Sequence, residues 1–132
     1  MARQSRADPV TDATQVLLVD GMGLLLDWYA AGDVTFVGGS LVAVGGHNLL
    51  EPAALARPIL TGPSHDNARE VLQALQAVQA VRVVSDGAEL GRAVIELLRD
   101  EGARQRMGAR ALQVVTEARG SCARVMALLP AP

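Results

Sequence analysis

Four short apolar runs punctuate this chain, and each is followed by a longer stretch in which apolar residues recur at helical spacing. The runs are Gln15–Val19, Val34–Val37, Pro58–Thr61 and Val81–Val84. Each is too short for a buried helix and suits a buried strand. The stretches between them predict helices over Gly23–Ala31, about Asn48–Ala56, about Ala68–Ala77, and from Ser85 or Asp86 through Leu98. In the last of these, Leu90, Val94, Leu97 and Leu98 fall on one face. A further helix is expected over Asp100–Ala118 and a short final one over Cys122–Leu129. Strand–helix alternation of this kind implies parallel pairing with helices on the sheet faces. The expected fold class is therefore α/β, a Rossmann-like parallel sheet flanked by helices.

At 132 residues the chain has room for one domain, which we expect over 15–129 after an irregular lead-in over 1–14. Only Trp28, Tyr29 and Phe36 are aromatic although half the residues are hydrophobic, so the core must be built from Ala, Val and Leu. Trp28 and Tyr29 are expected within that core. With 12 basic and 14 acidic residues, the net charge of −2 gives no drive toward nucleic acid. The arginines at 99, 104, 106 and 110 are interrupted by Asp100 and Glu101 and read as a solvated helix face. A single cysteine, Cys122, excludes an internal disulfide and fits a reducing compartment. With only His47 and His65 beside it, no metal site is expected. No apolar stretch reaches the ~18 residues of a membrane span, and the first residues lack the apolar centre of a signal peptide. The chain as given reads as cytoplasmic.

The chemistry concentrates between the second strand and the second helix. There Gly38-Gly39-Ser40-Leu41 leads through Gly45-Gly46-His47-Asn48 to Glu51 and Pro52. Glycine tolerates φ > 0 and lets a backbone approach a ligand closely, and a helix start offers unpaired N–H groups to an anion. Glu51, in the first turn, has two readings: it holds a sugar hydroxyl, or it completes an Asn48-x-x-Glu51 capping box. His47 either donates to a phosphate or carboxylate, or bonds a backbone carbonyl. Met22 either packs on a pyrimidine ring or fills buried space. His65 reads as a surface-loop residue, and Asp20 and Asp33 as turn or cap residues. The loops at 20–23, 38–47 and 62–67 all follow predicted strands. Ligands of parallel α/β sheets bind at the carboxyl ends of strands, so these loops are expected to converge on one edge.

Taken together, these strings closely resemble the 3-deoxy-D-manno-octulosonic acid (Kdo) transferases. The matching residues are Asp20-Gly21-Met22-Gly23, Tyr29 to Val34, Phe36 to Leu41, Gly45-Gly46-His47-Asn48-Leu49-Leu50-Glu51-Pro52-Ala53-Ala54, Pro58 to Pro63, and Asn67. The resemblance implies a glycosyltransferase of the GT-B arrangement, with two Rossmann-like domains facing a cleft; this chain resembles the later part of the C-terminal, donor-binding domain. It implies CMP-Kdo as donor substrate, with no other cofactor. It places Gly45, Gly46, His47 and Asn48 near the donor phosphate and Kdo, and Glu51 on the ribose hydroxyls. Gly21, Met22 and Gly23 would line the nucleotide side, and Ser40 and Asn67 would border the cleft.

The family pattern Gly-Asp-(Ser/Thr)-Met-Gly-Glu stands here as Val19-Asp20-Gly21-Met22-Gly23-Leu24, without the hydroxyl and the glutamate. Pro-His-x-x-Asn-Phe stands as Pro63-Ser64-His65-Asp66-Asn67-Ala68, with the histidine displaced by one position. By resemblance the acceptor is a lipid A precursor, handled by an N-terminal domain absent from this sequence, and the full-length family works at the cytoplasmic face of the inner membrane. No catalytic residue is expected here; the isolated chain should be inactive and prone to self-association through the uncovered cleft face. Two alternatives stand beside this reading. One is half of a UDP-sugar-using GT-B transferase or epimerase; the other is a non-catalytic relic or interaction module of the same fold.

Overall fold

The computed structural model describes residues 1–66 and 68–128, with side chains through Gly120. In chain order the elements are β1 (Ala2–Arg3), a 3-10 turn (Gln4–Arg6), β2 (Leu17–Leu18), α1 (Leu25–Ala31), β3 (Thr35–Val37) and α2 (Leu50–Ala54). Then follow β4 (Ile59–Thr61), α3 (Arg69–Ala77), β5 (Val81–Val83), α4 (Gly87–Arg99) and α5 (Glu101–Leu128). Strands β3, β4 and β5 form a parallel sheet in that order, with Val37 beside Thr61 and Thr61 beside Val83.

The central strand shows why its sequence is apolar without alternation. Ile59 and Leu60 are both fully buried, yet they point to opposite faces of the sheet. Ile59 packs with Val37, Leu72 and Leu75 of α3, and Ala111 and Val115 of α5. Leu60 packs with Val84, Ala93 and Leu97 of α4, and Met107 of α5. Helices therefore cover both faces, as strand–helix alternation requires.

Local chemistry sets the helix ends. Asp86 caps α4 by accepting from the Glu89 N–H at 2.8 Å, while the Glu89 carboxylate accepts from the Ser85 N–H and hydroxyl at 2.8 Å. At the other end of α4, Arg104 donates to the carbonyls of Leu97 and Leu98, both at 2.8 Å. This arginine is thus part of a helix terminus as well as of a solvated face. Helix α5 runs hard against the end of α2: a Cβ on Gly108 would stand 1.9 Å from the Ala56 carbonyl oxygen.

Three expectations are corrected. The lead-in is not wholly irregular, because β1 pairs in parallel with β2, with Ala2 beside Leu17. The separate helix over Cys122–Leu129 does not exist as such, since α5 continues through Leu128; Leu129 lies outside the described residues. A lone glycine such as Gly120 costs a helix only about 1 kcal/mol and does not end it. Trp28 is 41% exposed, because α1 packs along α2 and buries none of its own residues.

Candidate functional site

The glycine-rich segment after β3 folds into a closed loop. Its neck is pinned by two backbone hydrogen bonds, Gly46 N–H to Gly39 O at 2.8 Å and His47 N–H to Gly38 O at 3.1 Å. Positive φ angles at Gly39 (67°), Gly45 (100°) and Gly46 (69°) make the turn. The requirement for glycine is strictest at Gly46, where a Cβ would meet His65 Nδ1 at 2.3 Å and Ser64 O at 2.8 Å.

Ser40 ties this loop to the one after β4. It is fully buried, and its hydroxyl donates to Val37 O at 2.7 Å while accepting from the Gly62 N–H at 2.8 Å. Its carbonyl also accepts from the Ser64 N–H at 2.9 Å. Expected to border the cleft, Ser40 instead lies inside the wall, with its hydroxyl committed on both sides.

His65 is a second correction. It is 3% exposed and not a surface-loop residue, because the glycine loop closes over it. Its Nε2 lies 2.7 Å from Thr61 Oγ1, and Thr61 Oγ1 lies 3.1 Å from Val37 O. Among the described residues, Nδ1 is buried without a partner. Burial holds the imidazole below the usual histidine pKa, favouring the neutral ring.

At the start of α2, the Asn48 side-chain oxygen accepts from the Leu50 N–H at 3.0 Å, and its amide nitrogen donates to Glu51 Oε1 at 3.3 Å. This is an Asx turn, not the reciprocal capping box, and Glu51 is oriented by a side chain. Asn48 and Glu51 line a cleft of about 300 Å³ together with Leu26, Leu50, Ala54, Leu55 and Arg119. Glu51 also stands close enough to Tyr29 to act on its phenol, whose pKa is raised by burial first and by the Glu51 charge second. A Cβ on Gly39 would stand 3.2 Å from the His47 ring, and His47 itself is exposed.

The structure joins two of the three loops expected to converge, those after β3 and β4. Gly21, Met22 and Gly23 instead follow β2, which belongs to the separate two-stranded sheet. Met22 is 97% exposed, so it fills no buried space. Asp20, at the head of that turn, is tied to the N-terminus: its carboxylate accepts from the Ser5 N–H at 3.0 Å and hydroxyl at 2.7 Å. Those bonds hold its carboxyl below the usual aspartate range. Asn67 lies outside the described residues. Arg119, on the cleft beside Glu51, and His65, beneath the glycine loop, are placed where sequence reasoning did not expect them. Nothing in the local sequence marks Arg119, an exposed position well along a long helix, whereas the Gly45-Gly46 pair was a signal that something bulky lies beneath it.

A second cleft, of about 190 Å³, opens at the opposite edge of the sheet, lined by Asp33, Arg57, Glu101 and Arg104 among others. Its two cations and two anions balance. Among the described residues, no group of three or more His, Cys, Asp or Glu is placed to hold a metal ion.

A glycine loop thus follows a parallel strand and leads to an oriented carboxylate at the next helix; the comparisons with known proteins bear on the family. No family model matches the chain. It is similar to the crystal structure of the C-terminal CMP-Kdo binding domain of WaaA from Acinetobacter baumannii, with a TM-score of 0.81 and 35% identity. That match covers 86% of this chain and 59% of the other. The 3-deoxy-D-manno-octulosonic acid transferase of Haemophilus influenzae is 42% identical over 128 residues, 96% of this chain and 30% of that relative. The transferase of the same name from Chlamydia muridarum is 47% identical over 90 residues, 67% of this chain and 21% of that relative. The fold is thus the Rossmann-like, C-terminal type of domain of a GT-B glycosyltransferase. More narrowly, the chain belongs with the Kdo transferases, as a counterpart of their C-terminal part. It spans about a third or less of the length of these curated relatives.

Proposed function

We propose that this chain is the donor-binding part of a Kdo transferase and holds CMP-Kdo across the glycine loop and the start of α2. The observation that carries the reading is the pairing of a glycine-rich loop, with positive φ angles at Gly39, Gly45 and Gly46, with a Glu51 carboxylate already oriented by Asn48. Glu51 accepts hydrogen bonds from the ribose hydroxyls. The loop backbone and His47 face the phosphate and the Kdo carboxylate, where donors stabilise the charge that grows as CMP leaves. Ser40 acts indirectly, by locking the two loops together.

Transfer requires a base to take the proton of the acceptor hydroxyl. In this proposal that base, and the surface for a lipid A precursor, come from the N-terminal part of the full-length enzyme at the cytoplasmic face of the inner membrane. No cofactor besides the donor is invoked. The similarity to a CMP-Kdo binding domain supports the choice of CMP over UDP.

The test is calorimetric titration with CMP, with UDP as comparison. CMP should bind in preference to UDP, and Glu51→Ala should weaken CMP by about 1–3 kcal/mol, the scale for losing hydrogen bonds to a charged group. The chain alone, given CMP-Kdo and a lipid acceptor, should form no product. A folded chain that binds neither nucleotide would refute the reading.

A further inference from the structure

We infer that His65 is a donor-site residue: its Nδ1, buried beneath Gly46 without a partner among the described residues, meets an anionic oxygen of the bound nucleotide sugar and carries a proton when it does so. This rests on the donor-binding reading above. It adds a residue that the reading does not use, one that stands a position away from where the family pattern puts its histidine.

Counting hydrogens leads to the inference. Val37 O already accepts from the Ser40 hydroxyl at 2.7 Å and has a second lone pair facing Thr61 Oγ1 at 3.1 Å. When the Thr61 hydroxyl donates there, Nε2 must be the protonated nitrogen that donates to Thr61 Oγ1 across 2.7 Å. Nδ1 is then a bare lone pair, buried and unmatched. When the Thr61 hydroxyl turns to Nε2 instead, the proton sits on Nδ1, and an N–H is left unmatched. Either way, one polar atom of a buried ring lacks a partner, and buried polar atoms are seldom left so.

That atom lies directly beneath Gly46, in the loop that the reading above turns toward the donor phosphate. The cover over it is the backbone of Gly46, without a side chain and in a left-handed conformation. The neighbouring Val42 and Val44 are exposed and anchor nothing. The flanking charged group, Asp66, is paired with Arg69 at 3.6 Å, so among the described residues the ring has no anion bonded to it. An arriving phosphate or carboxylate oxygen would supply one. It would draw a proton onto Nδ1 while Thr61 continues to hold Nε2.

The experiment is nitrogen NMR on the full chain labelled at histidine, titrated with CMP at neutral pH, alongside calorimetry. Expected is CMP binding with the His65 Nδ1 resonance in the protonated range in the complex, whichever tautomer the free chain holds. His65→Gln, which retains an amide to bond Thr61, should stay folded and lose about tenfold or more in CMP affinity. Binding of CMP with Nδ1 still unprotonated, or unchanged affinity in a folded His65→Gln variant, overturns the inference and leaves the donor-binding reading standing. Absence of CMP binding in the wild-type chain overturns both.

Discussion

Replacing Gly46 with alanine tests whether the glycine loop is built on His65 as described. Two costs arise. The backbone at Gly46 has φ = 69°, a left-handed conformation that costs an L-residue about 1–2 kcal/mol. The added methyl would lie 2.3 Å from His65 Nδ1, 2.5 Å from Cε1 and 2.8 Å from Ser64 O. None of these can yield freely, since the ring is bonded to Thr61 at 2.7 Å and Ser64 is bonded to Ser40 at 2.9 Å. Overpacking of this kind costs about 1–3 kcal/mol. The sum is about 2–5 kcal/mol, a large part of the ~5–15 kcal/mol that holds a domain together. In urea, where slopes for small domains run at about 1–3 kcal/mol per molar, the midpoint should fall by roughly 1 M or more. Because the clash is with one ring, Gly46→Ala should couple to His65→Ala: the double variant should lose clearly less than the sum of the single losses. The φ cost and the Ser64 contact remain, so recovery should be partial. An unchanged midpoint for Gly46→Ala, or strict additivity of the pair, would refute this account of the loop.

Two further predictions concern helices and pH. Gly91 and Gly108 both lie inside helices, yet a Cβ at Gly91 meets nothing within 4 Å while one at Gly108 would meet Ala56 O at 1.9 Å. Gly91→Ala should therefore raise stability by about 0.5–1 kcal/mol through helix propensity, and Gly108→Ala should lower it by about 1–3 kcal/mol; thermal melts giving the same sign for both would contradict the packing of α5 on α2. Burial lowers the folded-state pKa of His65 below its unfolded value of about 6.5. Below that value the unfolded chain binds a proton that the folded one refuses, so the His65 contribution is intact above about pH 6.5 and declines as pH falls toward the folded pKa. Denaturant midpoints across that range should show a loss that His65→Gln removes, and identical profiles would show that His65 is not buried in its neutral form.

How far the sequence revealed the fold depends on which physical signal each part carries. The three strands of the main sheet were legible within a residue or two because burial on both faces leaves an unbroken apolar run, as in Ile59-Leu60-Thr61. The start of α4 was legible only as Ser85 or Asp86; the structure makes Asp86 the cap, with Ser85 bonded to Glu89. By contrast, β1 has only two residues, and its pairing with Leu17 depends on contacts no local window contains. Trp28 was expected in the core on its chemistry alone, but where α1 sits decides its exposure. The glycine string and Glu51 could be singled out from their spacing, and the structure brings the loops after β3 and β4 together. What the string could not reveal is what lies beneath it. His65 sits among Ser64, Asp66 and Asn67, polar company that implies solvent, and only the closure of a loop some twenty positions earlier buries it. Ser40 was placed near the site, but its role as a joint between loops depends on a partner at Gly62, 22 positions on.

The parallel order of the main sheet bears on how little of this chain can be removed. No hairpin brings neighbouring strands together; Val37 and Thr61, bonded at the heart of the site, are 24 positions apart, and a helix must pass between them. The glycine string by itself is therefore an open tether. Its floor, in Thr61 and His65, and its lock, in Gly62, arrive only when the crossover through α2 has closed. A peptide cut before β4 would carry every residue of the most recognisable motif and none of the surface that gives it shape.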